Sequence, residues 1–382
     1  MAGSYTSRWM DSDIDMFRDS VQKFVQAEVA PFDADWKKQQ YVDKSLWLKA
    51  GEMGLLCTDI PEQYGGMGAD FRYEGVMAEE FWGKGYNSFG SMVHTLVANY
   101  LLNHGTEAQK TKFLPRMASG ELIGAIAMSE PDAGSDLQSI RTKAELDGDH
   151  YVINGAKTWI SNGYNAGLVC VVCKTDPSAR AKGMSILIVE TEGLDGFKTG
   201  KIIEKIGQKG QDTCELFFDD VRVPVENLLG SVEGRGFIQL MSDLPYERVL
   251  LALSGVACME NALKMTIEYT KDRTVFGQKL FDMQTTRHKL AELQTTVHIA
   301  RVFIDNCVDQ LLEGTLDTAT ASMAKFWVTD KQCEVIDACL QFFGGNGYTA
   351  EYPISQFYLD ARVQRIYGGA NEIMKEVISR SL

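Results

Sequence analysis

The sequence predicts a mainly α-helical protein with a β middle domain, in the order helices, strands, helices. Three observations carry this. Apolar residues recur at helical spacing through the first third, as in Ile14, Phe17, Val21, Phe24 and Val25. Near residue 122 that period gives way to short β-like runs separated by Gly, Asp and Asn turns. From about residue 236 the helical period returns and holds nearly to the end, which divides the chain into 1–122, 123–235 and 236–382.

Ser12 and Asp13 are capping candidates for the first helix, and Pro31 follows its last apolar position. Gly65-Gly66-Met67-Gly68 breaks the next helical stretch, after which 73–83, 91–103 and 107–118 read as helices. The β runs are Ile123–Met128, Tyr151–Ile153, Leu168–Cys173, Ser185–Glu190 and Glu215–Val223, with a turn at Asp147-Gly148-Asp149. No long helix separates them, so an antiparallel barrel or sandwich is expected and not a doubly wound sheet. Stretches 249–272, 284–313 and 317–343 are long and amphipathic, with Gly314 and Gly344-Gly345 as stops. The end of the chain reads as an interrupted helix followed by a short one capped by Asn371.

The chain has 382 residues, 45% hydrophobic and 24% charged, enough for two or three domains with sizeable cores. Its net charge of -14 lacks the basic footprint of a nucleic-acid binder, although a local cluster could still hold an anionic ligand. Met1–Arg8 has no apolar leader core, and no membrane insertion is expected. Cys170 and Cys173 form a CxxC inside a strand-like run, where alternation turns them to opposite faces. All eight cysteines read as reduced thiols, pointing to a cytoplasmic location.

The five histidines show no HExxH spacing, and GxSxG and GxxxxGK[ST] are missing. Gly344-Gly345-Asn346-Gly347 follows a helix and not a strand, so it fails as a dinucleotide fingerprint. Three segments remain. Ala127–Asp136 is a turn rich in hydroxyls and N–H groups, suited to an anion or a polar ring edge, or simply a turn. In Lys157–Gly163, Trp159 and Ser161 lie two apart on a strand and share a face, suited to an aromatic ligand and its edge. Gln341–Tyr348 and Ile366–Glu372 place glycines around helix ends, the second before an Asn cap, where free N–H donors could face a ligand.

In this order the segments resemble the acyl-CoA dehydrogenase family over nearly the whole chain. Ala133-Gly134-Ser135-Asp136, Trp159-Ile160-Ser161 and Arg273-Thr274-Val275-Phe276-Gly277 with Gln284 are similar to its signatures. The resemblance implies a helical N-terminal domain, a β-barrel, a C-terminal four-helix bundle, FAD, acyl-CoA as substrate, an electron-transferring flavoprotein as acceptor and a homotetramer. It implies that Ile126, Met128, Ser129, Ser135, Trp159, Ile160 and Ser161 meet the flavin. Arg273, Phe276, Gln284, Gln341, Gly344 and Gly345 would hold the remainder of FAD, commonly in a neighbouring subunit, with Ala370, Asn371 and Glu372 also on the cofactor side. Two departures are Asp132, where many members have glycine, and Gln356, where a basic residue usually precedes Asp360 by four.

Most members take their α-proton base from a C-terminal Tyr-Glu-Gly, which here reads Tyr367-Gly368-Gly369. Glycine cannot accept a proton, so the base comes from elsewhere or the protein is inactive. Glu247, beside Tyr246 and Arg248, is similar to the helix glutamate of the long-chain and isovaleryl branches. The resemblance implies Glu247 as base, Arg248 and Tyr246 on substrate, Ser135 near pantetheine, and Gly368 and Gly369 at the thioester carbonyl. Continuous stretches such as Ala321–Trp327 and Ala361–Gly369 are most similar to the long-chain branch. A branched-chain dehydrogenase and a non-catalytic acyl-CoA-binding flavoprotein are the alternatives.

Overall fold

A computed structural model describes residues 5–382; residues 1–4, the start of the N-terminal segment read above, lie outside the described residues. The first unit holds α1 (Ser12–Phe24), α2 (Asp33–Gln39), α3 (Lys44–Glu52), α4 (Phe71–Phe81), α5 (Ser91–His104) and α6 (Glu107–Ala118). Asp11, and not Ser12 or Asp13, caps α1: its backbone is extended, and its carboxylate accepts from the Asp13 and Ile14 N–H groups.

The middle unit is a seven-stranded sheet of β1 (Gly124–Ala127), β2 (Lys143–Asp147), β3 (His150–Ser161), β4 (Leu168–Lys174), β5 (Met184–Glu190), β6 (Phe197–Ile202) and β7 (Thr213–Pro224). Its order is β1-β4-β2-β3-β7-β6, with β5 on β4. The expected purely antiparallel pairing fails at β1, which runs parallel to β4, Gly124 opposite Leu168. The β2–β3 hairpin lies between them in sequence and supplies the long crossover that parallel neighbours need. β2 and β6 escape the hydrophobic pattern because they are mostly polar and open to solvent. β4 is buried throughout: Cys170 and Val172 join the core packed on the helices, while Val169, Val171 and Cys173 join the sheet's own core.

The third unit holds α7 (Gly236–Asp272), a hairpin of β8 (Thr274–Val275) and β9 (Gln278–Lys279), α8 (Gln284–Leu312), α9 (Thr318–Phe343), α10 (Pro353–Ala361) and α11 (Asn371–Ser379). α7 starts well before 249 and carries Pro245 inside the helix. By length and composition α7 could also cross a membrane, contrary to the expectation of no such run. However, 72% of its most apolar window is buried inside the protein, so those residues are core. Gln356 compensates for the missing basic residue by donating to the Asp360 carboxylate at 2.6 Å.

Two buried side chains fix where the sheet meets the helices. The Gly124 N–H donates to Nδ1 of His94, leaving Nε2–H to donate to the Met117 carbonyl, both at 3.0 Å. Burial pushes the His94 pKa down to about 4, which keeps this tautomer neutral. Asn162, with φ of 62°, donates to the Gly90 and Gly124 carbonyls and so ties α5 to β1.

Candidate active site

β1 lies at the junction of the two cores. Ala125 and Ala127 point into the sheet, whereas Ile126 and Met128 are partly buried and pack towards the helices. The following turn is held by a buried ion pair, Lys157 Nζ to Glu130 Oε1 at 2.8 Å. Glu130 also accepts from the Arg141 and Thr142 N–H groups, and Lys157 donates to the Met128 carbonyl. Burial drives the Lys157 pKa down, while Lys157 and the surrounding donors hold Glu130 below its usual value against its own burial. Ser129 is thereby half-buried at the cleft and Ser135 is exposed beyond it; Asp132 is likewise exposed, 3.4 Å from Arg141.

A bulge in β3 between Lys157 and Ile160 shifts the strand's alternation, burying Thr158 and Ile160 and turning Trp159 and Ser161 outwards. Trp159 has φ of 62°, a costly conformation for a bulky residue, yet the residue is 61% exposed. Ile160 points into the sheet core, so only its backbone is available to a ligand. An open indole, a hydroxyl two residues on, and the partly buried Ile126 and Met128 form an apolar floor with a polar edge. That donor set fits a flat heteroaromatic ring such as the isoalloxazine of FAD.

Glu247 sits on α7, 6% exposed, and its Oε1 accepts a 2.7 Å hydrogen bond from the Tyr100 hydroxyl of α5. Burial raises its pKa to about 7; Asp243 adds to the rise, and Tyr100 and Arg248 oppose it. Leu251, one turn along the same face of α7, reaches Gly368: a Cβ built there would stand 2.5 Å from Leu251 Cδ1. Glu247 and the Gly368 loop therefore converge on one space. Gly368 and Gly369 adopt φ of 62° and 91°, and among the described residues neither N–H donates to a protein acceptor.

Three expected ligand contacts are placed elsewhere. Arg248 is buried towards α9, its Nη1 donating to Ser322 Oγ at 2.9 Å, because neighbouring residues on a helix point about 100° apart. Its guanidinium is thus held inside the bundle and not at the protein surface, where contact with CoA was expected. The Tyr246 hydroxyl is spent on Asp59 at 2.7 Å and its ring meets Phe71 edge-on, so it braces the N-terminal unit. Asn371 is the first residue of α11 and not its cap; its buried amide bonds Phe326, Thr329, Asp330 and Lys325, while Ala370 precedes it and Glu372 is exposed.

Arg273, Phe276, Gln284, Gln341, Gly344 and Gly345 are all exposed, Phe276 at 97%. The stacked Tyr269 and Phe343 rings, 4.2 Å between centroids, bring the ends of α7 and α9 together and gather this group there. Arg273 lies about 39 Å along an ideal helix from Glu247, so the group is separate from the Glu247 site of the same chain. Glu130, Lys157, Tyr100 and Lys325 escaped the sequence reading. Single charged or aromatic residues inside apolar stretches carry no spacing signal, and only their burial marks them.

The N-terminal, middle and C-terminal domain models of acyl-CoA dehydrogenase match residues 11–121, 125–221 and 234–382. The rat mitochondrial long-chain specific acyl-CoA dehydrogenase is 46% identical over 378 residues, covering 98% of this chain and 87% of its own. A potato mitochondrial isovaleryl-CoA dehydrogenase is 37% identical over 383 residues, covering 99% and 92%. The crystal structure of an acyl-CoA dehydrogenase from Geobacillus kaustophilus superposes with a TM-score of 0.96 at 42% identity, covering 98% of this chain and 99% of that one. With all three domains matched and the fold reproduced, the chain belongs to the acyl-CoA dehydrogenase family, FAD-dependent oxidoreductases acting on a CH–CH bond of acyl-CoA.

Proposed function

We propose that the enzyme converts a straight medium-to-long-chain acyl-CoA to trans-2-enoyl-CoA, with Glu247 as the α-proton base and an electron-transferring flavoprotein as acceptor. One observation carries this reading. Glu247 is a buried carboxylate whose helix face also touches Gly368, the position where a side-chain base is missing.

Glu247 takes the α-proton, and the electron pair left behind moves towards the thioester oxygen. The N–H groups of Gly368 and Gly369, which have no protein acceptor among the described residues, are free to donate to that oxygen and stabilise its charge. When bound, FAD supplies the two-electron acceptor for the β-hydrogen. A pKa of about 7 suits a base working near neutrality, and the Tyr100 hydroxyl favours the carboxylate form over the acid.

The long-chain assignment leans on the 46% relatives, against 37% for the isovaleryl enzymes. The exposed group around Arg273 would complete the FAD site of another copy in a homotetramer. The eight unpaired cysteines fit a reducing compartment, the cytoplasm in this reading.

Anaerobic mixing with butyryl-, octanoyl-, palmitoyl- and isovaleryl-CoA tests the proposal through flavin bleaching. Fastest bleaching by octanoyl- or palmitoyl-CoA is expected. Fastest bleaching by isovaleryl-CoA would assign a branched substrate, and no bleaching by any thioester would leave a binding protein.

A further inference from the structure

Two cations lie in the helical bundle beneath the glycine loop. Lys325 of α9 is fully buried, and its ammonium donates to the Gly369 carbonyl at 2.6 Å and to Asn371 Oδ1 at 2.9 Å. Arg248 of α7 is 3% exposed and donates to Ser322 Oγ, and its Nε has no partner. Among the described residues neither has a carboxylate within ion-pairing distance. Asp330 and Glu372 favour the charged form of Lys325 from beyond ion-pairing distance, while Arg248 opposes it.

Unpaired buried charge is expensive, and two like charges side by side are more so. A lysine needed only for packing could be replaced by an apolar chain of similar volume at little cost. Position supplies a purpose: Lys325 Cε lies 4.0 Å from where a Cβ at Gly368 would stand, and its ammonium grips the next carbonyl. The loop it grips is left-handed at both glycines and carries the free N–H groups.

We propose that Lys325, with Arg248 behind it, is a positioning and electrostatic residue for α-proton removal. It fixes the Gly368–Gly369 turn and keeps positive charge beneath the thioester oxygen. This rests on the reading of Glu247 as base and Gly368 as carbonyl donor. In the step it assists, the Cα–H bond breaks, the proton goes to Glu247 and the electron pair becomes enolate. Negative charge thus moves from the carboxylate to the thioester oxygen. Burial, with Arg248 adding to the drop, lowers the Lys325 pKa to about 7, and an enolate above it would draw the proton back.

The test uses 3-thiaoctanoyl-CoA, whose sulfur acidifies the α-carbon without allowing turnover. Its bound enolate is read as a long-wavelength charge-transfer band with the oxidised flavin of the holoenzyme. The groups facing Glu247 are Tyr100, Asp243 and Arg248, those facing Lys325 are Arg248, Asp330 and Glu372, and in each variant all but the substituted residue are as in the parent. Lys325→Met should raise the pH midpoint of the band by about 1–3 units, the range a charge within ~4–6 Å produces. Lys325→Arg should restore the midpoint towards the parent, which a packing role would not do. Arg248→Gln should shift it in the same direction and serves if Lys325→Met fails to fold. A folded, flavin-loaded Lys325→Met or Arg248→Gln protein with the parent midpoint overturns the proposal. A parent enzyme that never gives the band overturns the Glu247 reading itself, and this inference with it.

Discussion

The Tyr100 hydroxyl donates to Glu247 Oε1 at 2.7 Å, joining α5 of the N-terminal unit to α7 of the bundle. This bond stabilises the ionised carboxylate against burial, which alone would leave Glu247 protonated at neutral pH. Because the folded pKa is about 7, the proposed base loses its proton as pH rises through that value. For the parent, kcat/KM should therefore climb through about pH 7. Tyr100→Phe removes a bond that favours the carboxylate, so the midpoint should move up by about one unit, the worth of a hydrogen bond to a charged group. Rates should fall most below neutrality and approach the parent at high pH; a pH–rate profile checks this.

Trp159 is 61% exposed on a strained bulge, so its ring contributes little to folding. Trp159→Ala should leave the thermal midpoint nearly unchanged while the protein purifies with substantially less flavin. The ratio of flavin to protein absorbance, read beside a melting curve, separates the two effects.

Lys157 and Glu130 behave oppositely. Their ion pair is buried and sets the turn from Ser129 to Ser135. Lys157→Met strands the carboxylate and should cost about 3–5 kcal/mol, whereas adding Glu130→Gln should recover part of that loss. Denaturant unfolding of the two variants measures the difference.

Moving the proposed base tests how closely the two positions converge. Glu247→Gly with Gly368→Glu would put the carboxylate where most of the family carries it. A Cβ at Gly368 would meet Leu251 Cδ1 at 2.5 Å, on a backbone with φ of 62°. The double variant should thus regain little activity, and adding Leu251→Ala should raise it. Single-turnover flavin reduction with octanoyl-CoA compares them.

The helices of the bundle were legible because each buries one face and shows its period, and β4 and β5 because they are continuous apolar runs buried on both faces. β2 and β6 were not, since their residues are largely polar and open to solvent. Glu247 came into view through the resemblance to branches that carry a helix glutamate there, once Gly368 was seen to lack a side chain. Arg248 and Tyr246 could not be placed, because adjacency in sequence says nothing of which helix face points to the cleft. The outward turn of Trp159 depends on a bulge that leaves no sequence mark. Asn371 looked like a cap because Gly-Gly precedes it nearby, yet its amide is consumed by Lys325, Phe326, Thr329 and Asp330.

The most direct measurement is anaerobic stopped-flow reduction of the flavin by octanoyl-CoA in Glu247→Gln. Glutamine keeps the size and the contact with Tyr100 but cannot take a proton. Reduction should slow by at least about 10²–10⁴-fold, the usual worth of a general base, while the dissociation constant for the enoyl-CoA product stays near the parent value. Reduction at the parent rate would contradict the assignment of Glu247 as the base.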